Sequence, residues 1–496
     1  VLTVLTAIVL AAGAATSPLP KAGDLVVGFE IVDRGSPASA IGVQRLSRDG
    51  ERLWGDGKAL GDPSGPGDLR KAPAICDDGQ GGVLVVYEHE FTAGDHAGDC
   101  DIVAQRFGAD GSRLWAVPKP VASVGSAERR PRVVSDGLGG AIVVYEWTDQ
   151  AGDTDVLAQR IDGTGRCLWN DGAGPVALGA SRSAEGGACA VADGRGGAFV
   201  FFEWVGADGN VDLMAEHVAG DGRLLWGKDQ RALMVAGASR IERNPVAVPD
   251  GAGGAIVVFE VEPRSGEYQG DRDIAAQRVS ADGVLLWGSG NGVEVASSRG
   301  RERDPVAMAD GMGGVVAAFE MTPVTGENAG DADVLAQRLD ASGRMLWGDG
   351  KRSAVVSSST DLERAPAIVS DGAGGAIVAC EVERRTGESA GDIDVVAQRV
   401  SGAGAMLWNE GRKSVVVGTS KWREQRPRVF GDGEGGVIVI YTAAGVGGES
   451  DGDVDLEAAR LDGSGKLLWE AGERSVDIAA SKRLERNPGA VVIGAR

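Results

Sequence analysis

The side chains best equipped for chemistry in this sequence are carboxylates, and they recur in pairs. Asp99/Asp101, Asp153/Asp155, Asp271/Asp273, Asp331/Asp333, Asp392/Asp394 and Asp453/Asp455 each place two acids two residues apart. On an extended chain that spacing points both acids the same way. A hard cation such as Ca²⁺ takes about six to eight oxygens, so each pair would need backbone carbonyls and Glu267, Glu327, Glu388 or Glu449 to complete a shell. The competing reading is that the acids cap turns by accepting backbone N–H groups. Ca²⁺ is the only cofactor the sequence suggests.

A second set of charges precedes an apolar segment in most units: Glu128-Arg129, Glu242-Arg243, Glu302-Arg303, Glu363-Arg364 and Glu485-Arg486, with Arg423-Glu424 reversed. These would either ring a channel mouth as binding groups or form ion pairs between neighbouring units. Their presence in nearly every unit favours the ion pairs. Departures from the repeat say more. One equivalent position, just after a recurrent Glu, carries Ile31, His89, Trp147, Trp204, Val261, Met321, Val382 and Ala443, and Phe91 and His96 share a loop with His89. Exposed aromatics make platforms for sugar rings or hot spots for proteins, so His89, Phe91, Trp147 and Trp204 are binding candidates. Alternatively the two tryptophans fill space beside short loops. Glu185-Gly-Gly breaks the pattern again.

Catalytic motifs are missing. The sequence holds no phosphate loop or His-Glu-x-x-His run. Acids repeated in every unit have no reason to be poised differently, as acid–base catalysis requires. The expectation is therefore a chain that is not an enzyme. A net charge of −22 repels phosphate backbones, which excludes nucleic acid as a partner. Three histidines and five scattered cysteines are poor material for a zinc cage.

The elements that position these residues follow from an internal repeat. Leu-Trp recurs eight times, at Trp54, Trp115, Trp169, Trp226, Trp287, Trp347, Trp408 and Trp469, at intervals of 54 to 61 residues. The unit ending at Trp408 reads Arg364-Ala-Pro-Ala-Ile-Val-Ser, Asp371-Gly-Ala-Gly-Gly, Ala376-Ile-Val-Ala-Cys-Glu381, Gly391-Asp-Ile-Asp-Val-Val-Ala-Gln-Arg399 and Gly404-Ala-Met-Leu-Trp408. Short β-branched segments between Gly and Asp are strands joined by turns. Ala141-Ile-Val-Val-Tyr145 is apolar at consecutive positions, so both faces are covered. The fold class expected is all-β, an eight-bladed β-propeller of four-stranded antiparallel blades. The first unit lacks a first strand, and Leu484 to Ile493 supplies one, so the C-terminal strand completes the first blade and closes residues 18–496 as one domain. Val1 to Ala12, followed by small residues, reads as an export segment ending near residue 17, and at about 12 apolar residues it is too short to span a bilayer.

The Asp-Gly-x-Gly-Gly, Asp-x-Asp-Val-x-Ala-Gln-Arg and Gly-x-x-Leu-Trp elements resemble the repeats of exported bacterial β-propeller proteins over residues 23–496. At fewer positions the chain is similar to the tryptophan-docking repeats of eight-bladed quinoprotein dehydrogenases. That family implies an adjacent Cys pair and a quinone site, and none of the five cysteines is adjacent to another. Asp340-Ala-Ser-Gly343-Arg-Met-Leu-Trp347 also has one residue fewer between Asp and Gly than the docking repeat, and Ser47-Arg-Asp-Gly-Glu-Arg-Leu-Trp54 has the wrong Gly-to-Trp spacing for a sialidase-like Asp-box. No catalytic residue carries over. The sequence thus points to an exported binding or scaffold propeller with a protein or glycan on its loop face. The alternative is a glycosidase or lyase with an acidic site in the central funnel.

Overall fold

The computed structural model describes residues 24–33, 38–61, 68–179, 181–227, 232–237, 240–264, 270–298, 300–324, 329–387, 389–418, 422–445, 452–469, 475–479 and 484–493. The expected export segment lies outside them. The described residues form 32 strands and four short 3-10 turns. Units are numbered by their tryptophans, from Trp54 in unit 1 to Trp469 in unit 8.

Unit 7 illustrates the plan. Leu362–Ser370, Ala376–Glu383, Ile393–Val400 and Val415–Val416 pair antiparallel in chain order. Its second strand is buried at seven consecutive residues, because neighbouring sheets cover both faces. Six four-stranded sheets stand separately, while units 2 and 3 merge into one eight-stranded sheet through the parallel pair Cys100 and Ala127. In unit 1 the fourth strand of the sheet is Leu484–Val492, antiparallel to Leu25–Val32.

The three repeated motifs form one clasp on the next unit. In unit 6, Oδ1 of Asp310 accepts the N–H groups of Met312 and Gly314 at 2.8 and 2.7 Å, and its Oδ2 accepts from Arg338 at 2.9 Å. Gly311 and Gly313 have φ of +74° and +87°, which side chains resist, and a Cβ on Gly314 would lie 2.1 Å from Leu339 O. Arg338 extends to Gly402 O of unit 7 at 3.2 Å, where the Trp347 indole also donates at 3.0 Å. Gln337 fixes the tryptophan by accepting its backbone N–H at 3.0 Å. The same indole bond recurs in every unit, from Trp54 on Ala109 O to Trp469 on Arg48 O of unit 1. Apolar clusters accordingly lie between units. Val334 and Trp347 of unit 6 pack with Val378 and Val396 of unit 7, and Ile440 and Trp469 of unit 8 with Leu25 and Val27 of unit 1. Cys76, Cys100, Cys189 and Cys380 are buried free thiols and Cys167 is half-buried, the small-hydrophobe role that their scatter implies.

Candidate active site

Each first strand is bulged near its start, and the bulge residue takes a positive φ, as at Arg130 (55°) and Asp304 (52°). Its N–H then donates to the second-strand Glu of the preceding unit: Arg130 to Glu88 at 2.7 Å, Asp304 to Glu260 at 2.8 Å. Those recurrent glutamates are therefore occupied in joining units, and burial pushes their carboxyls up.

The Glu-Arg dipeptides divide their work, because adjacent strand residues point to opposite sides. Arg129 pairs with Glu90 at 3.1 Å, Arg303 with Glu320 at 2.9 Å and Arg364 with Glu383, so each arginine meets a second-strand acid rather than its own neighbour. Arg243 is the exception, with a buried Nε that has no hydrogen-bond partner among the described residues. The glutamates turn the other way, onto a third-strand aspartate of the preceding unit. Glu128 meets Asp101, Glu185 meets Asp155, Glu242 meets Asp212, Glu302 meets Asp273 and Glu363 meets Asp333. None of these glutamates is more than 3% exposed. Burial, with the facing aspartate, pushes Glu128 up to about 8 and Glu242, Glu302 and Glu363 to about 7. Glu185 also reaches about 7, raised by burial and by a hydrogen bond with Asp155.

The proposed calcium acids are thus split. The second member of four of the pairs faces a glutamate whose pKa burial raises, and Asp394 is instead bridged to Arg384 at 2.9 Å. Among the described residues no three His, Cys, Asp or Glu side chains gather in the way a metal ion needs. Glu267, Glu327, Glu388 and Glu449 lie outside those residues.

The carboxyl pairs are also not poised alike. Ser359 donates to Glu363 at 2.7 Å and Ser181 to Glu185 at 2.6 Å, whereas Ser123 donates to Asp101, at 3.0 Å, and leaves Glu128 without that help. One argument against catalysis therefore fails.

The interface between units 1 and 2 has no such pair. Arg70 occupies the register position of Glu128, opposite His89 as Glu128 is opposite Trp147. Ala40 stands where Asp101 stands in unit 2, opposite Ile31 as Asp101 is opposite His89. In place of a closed carboxyl pair there is a cavity of about 340 Å³, lined by Leu60, Arg70, Tyr87, His89, Val103 and Arg113 among others. Arg113 donates to Ala59 O and Arg70 to the Tyr87 hydroxyl, and neither meets a carboxylate among the described residues. Burial raises the Tyr87 hydroxyl pKa, and the two arginines act against that rise. Nε2 of His89 lies 2.8 Å from Asp68 Oδ2. With that nitrogen donating, Nδ1 of the neutral ring is an acceptor. The His89 ring sits 4.5 Å from Phe91, which sits 5.8 Å from His96.

His89 and Phe91 are thus brought together as their shared loop implied. Trp147 and Trp204 hold the same register in units 3 and 4 without joining that ring cluster among the described residues. Trp147 packs on the apolar layer of units 2 and 3, the space-filling alternative. The Trp204 indole donates to Ser181 Oγ at 3.2 Å, which links it to Glu185. Arg70, Tyr87 and Arg113 are the residues the sequence reading missed. The usable signal was Arg70, which breaks a column of glutamates.

No protein-family description and no curated protein matches the sequence. Solved structures do resemble the chain. The β-propeller domain of the Trilobed protease from Pyrococcus furiosus matches with a TM-score of 0.44 and 9% identity, over 83% of this chain and 98% of that one. The polysaccharide lyase Uly1 matches with a TM-score of 0.43 and 9% identity, over 84% and 93%. An α-L-arabinanase from Cellvibrio cellulosa matches at 0.29 and 13%, over 57% and 94%. These neighbours are propellers and several of them are enzymes, which corrects the expectation that the chain is not one. No helix among the described residues is long and apolar enough to cross a membrane.

Proposed function

We propose that the eight units close into a single propeller and that the chain is a carbohydrate-active enzyme, cleaving uronic-acid glycans by β-elimination in the cavity between units 1 and 2. The observation that carries the reading is Arg70 in the place of a glutamate, beside Tyr87 and His89 in a space between units that lacks the carboxyl pair. The indole of Trp469 on Arg48 and the pairing of Leu484–Val492 with Leu25–Val32 support the closed ring.

Elimination from a uronate needs three things, and each has a residue. Arg70 and Arg113 neutralise the sugar carboxylate, which acidifies the adjacent C5–H bond. Nδ1 of His89, oriented by Asp68, takes the C5 proton. The released electron pair forms the C4=C5 double bond as the C4–O bond breaks, and the Tyr87 hydroxyl protonates the departing glycosidic oxygen. Phe91 offers an apolar face for the sugar ring beside the reacting one. This reading keeps the carbohydrate-active enzyme and moves its site from the central funnel to the cleft of Arg70 and Arg113. Export, suggested by Val1 to Ala12, would bring such an enzyme to its polymers.

The test is turnover of polygalacturonate and alginate, with amylose as a neutral control, followed by the ultraviolet absorbance of unsaturated sugar ends. His89→Ala and Tyr87→Phe should each lower kcat by about 10²- to 10⁴-fold. Absence of unsaturated ends from every uronate, or undiminished turnover by His89→Ala, would overturn the reading.

A further inference from the structure

Unit 4 builds its clasp from different residues. Seven units carry an arginine at the clasp position, from Arg45 to Arg460, and unit 4 carries His217. One residue earlier, six units carry a glutamine, unit 8 carries Ala459 and unit 4 carries Glu216. Both exchanges in unit 4 replace a side chain of fixed charge by one that gains and loses a proton. The regular form stands in unit 5. There Arg278 binds Asp250 at 2.9 Å and continues to Ala341 O of unit 6 at 2.9 Å. Gln277 works in both directions, since its Oε1 accepts the Trp287 N–H at 2.9 Å and its Nε2 donates to Trp287 O at 3.3 Å.

In unit 4 the imidazole stops at the aspartate, with Nε2 of His217 3.0 Å from Asp193 Oδ2 and a buried Nδ1 that has no partner among the described residues. The Trp226 indole, donating to Ala281 O at 2.8 Å, then carries the clasp to unit 5. Its backbone is set by Glu216, whose Oε1 accepts the N–H groups of Trp226 and His217 at 2.8 and 2.9 Å. A carboxylate reproduces only the accepting half of the glutamine's pattern, whereas a carboxylic acid also donates.

Glu216 is 1% exposed. The charged residues on the elements around it are Asp193 and Arg195 in the turn before the second strand, Asp221 and Arg223 in the turn that follows, Asp212 at the start of its own strand, Arg160 of unit 3, and Glu242 and Asp282 of unit 5. Asp193 is held by His217, Arg160 by Asp136 and Arg223 by Asp221, and none of these bonds to Glu216 among the described residues. Burial raises the Glu216 pKa to about 7, against the N–H groups of Trp226, His217 and Leu225, which favour the charged form. We propose that units 4 and 5 meet at a proton-dependent seam, closed while a protonated Glu216 supplies both halves of the glutamine's pattern and loosened when that proton leaves. The seam is separate from the cleft of Arg70 and does not depend on the glycan reading.

The test is hydrogen exchange on the intact protein, read by mass spectrometry and corrected for the intrinsic effect of pH on exchange. It compares the amides of Leu225 and Trp226 with those of Leu286 and Trp287. Both interfaces hold a carboxyl pair with a glutamate raised to about 7, Glu242 with Asp212 and Glu302 with Asp273, so the titration of those pairs cancels in the comparison. A carboxyl at about 7 when closed and 4.5 when open loses about tenfold of its protection between pH 6 and pH 8. Over that range wild type should lose about ten times more protection at Trp226 than at Trp287. Glu216→Gln installs the residue of six other units and should abolish the excess. His217→Arg should raise protection at both pH values, by restoring the crossing to Ala281 O, and leave the excess in place. The wild-type comparison decides without any variant: an equal loss at the two tryptophans would overturn the proposal. So would an excess that survives Glu216→Gln, and one that survives it but disappears in His217→Arg would place the titration on the imidazole instead.

Discussion

The interface between units 6 and 7 and the one between units 1 and 2 are built on the same strands in the same register, yet one is shut and the other open. At the first, Glu363 faces Asp333, takes a hydrogen bond from Ser359 and is fully buried. At the second, Arg70 and Ala40 hold the positions of the two acids, and Tyr87 and His89 line the space that remains. Burial beside the aspartate raises the glutamate pKa and so favours its protonated form. Replacing the glutamate by an arginine removes that closure and leaves a cation facing a cavity. What repeats in this chain holds it together, and what departs from the repeat is free to act.

The sharpest way to break the comparison is to make the open interface regular. Arg70→Glu combined with Ala40→Asp should restore a carboxyl pair, keep the fold and reduce polyuronate turnover by more than about 10³-fold, as read by unsaturated ends against a melting curve. Next in size is the clasp common to both interfaces. Trp347→Ala removes a fully buried indole and should cost about 3–5 kcal/mol, measured by denaturant midpoint, with activity per folded molecule unchanged.

The carboxyl pairs predict a pH dependence that the cleft does not share. Glutamates held protonated up to about 7 or 8, against 4.5 when free, bind more protons folded than unfolded within that window. Stability therefore falls as the pH rises from about 4.5 to about 8, and Tm at pH 8.5 should lie several degrees below that at pH 5.5. Glu363→Gln keeps the hydrogen-bonding shape without the charge. It should leave Tm unchanged at pH 5.5 and raise it by about 1–3 °C at pH 8.5, and an equal effect at both pH values would contradict the shared-proton account.

How much of this was legible in the sequence depended on distance along the chain. Asp310, Gln337, Arg338 and Trp347 belong to motifs that recur along the chain, so the strands could be read directly, whereas the clasp these residues form on the next unit emerged only in three dimensions. The acids were legible as residues but not as partners. Asp333 was grouped with Asp331 because they are two apart, whereas it meets Glu363, thirty residues on and in the next unit. Glu363 and Arg364 were taken as one charged feature, although alternation along the strand sends them to different neighbours. Arg70 was visible as an exception, but its meaning needed Ala40, Tyr87 and Arg113, which come together only across units 1 and 2. Trp147 and Trp204 stood out by residue type, and packing absorbed the first of them.

The most direct measurement is a crystal structure of the protein with a uronate oligosaccharide, using His89→Ala to halt turnover. The account predicts a sugar carboxylate within hydrogen-bonding distance of Arg70 and Arg113, with the C5 atom facing the position the imidazole vacated and the glycosidic oxygen beside the Tyr87 hydroxyl. An oligosaccharide bound at another interface, or bound in the cleft with its carboxylate turned away from both arginines, would contradict it.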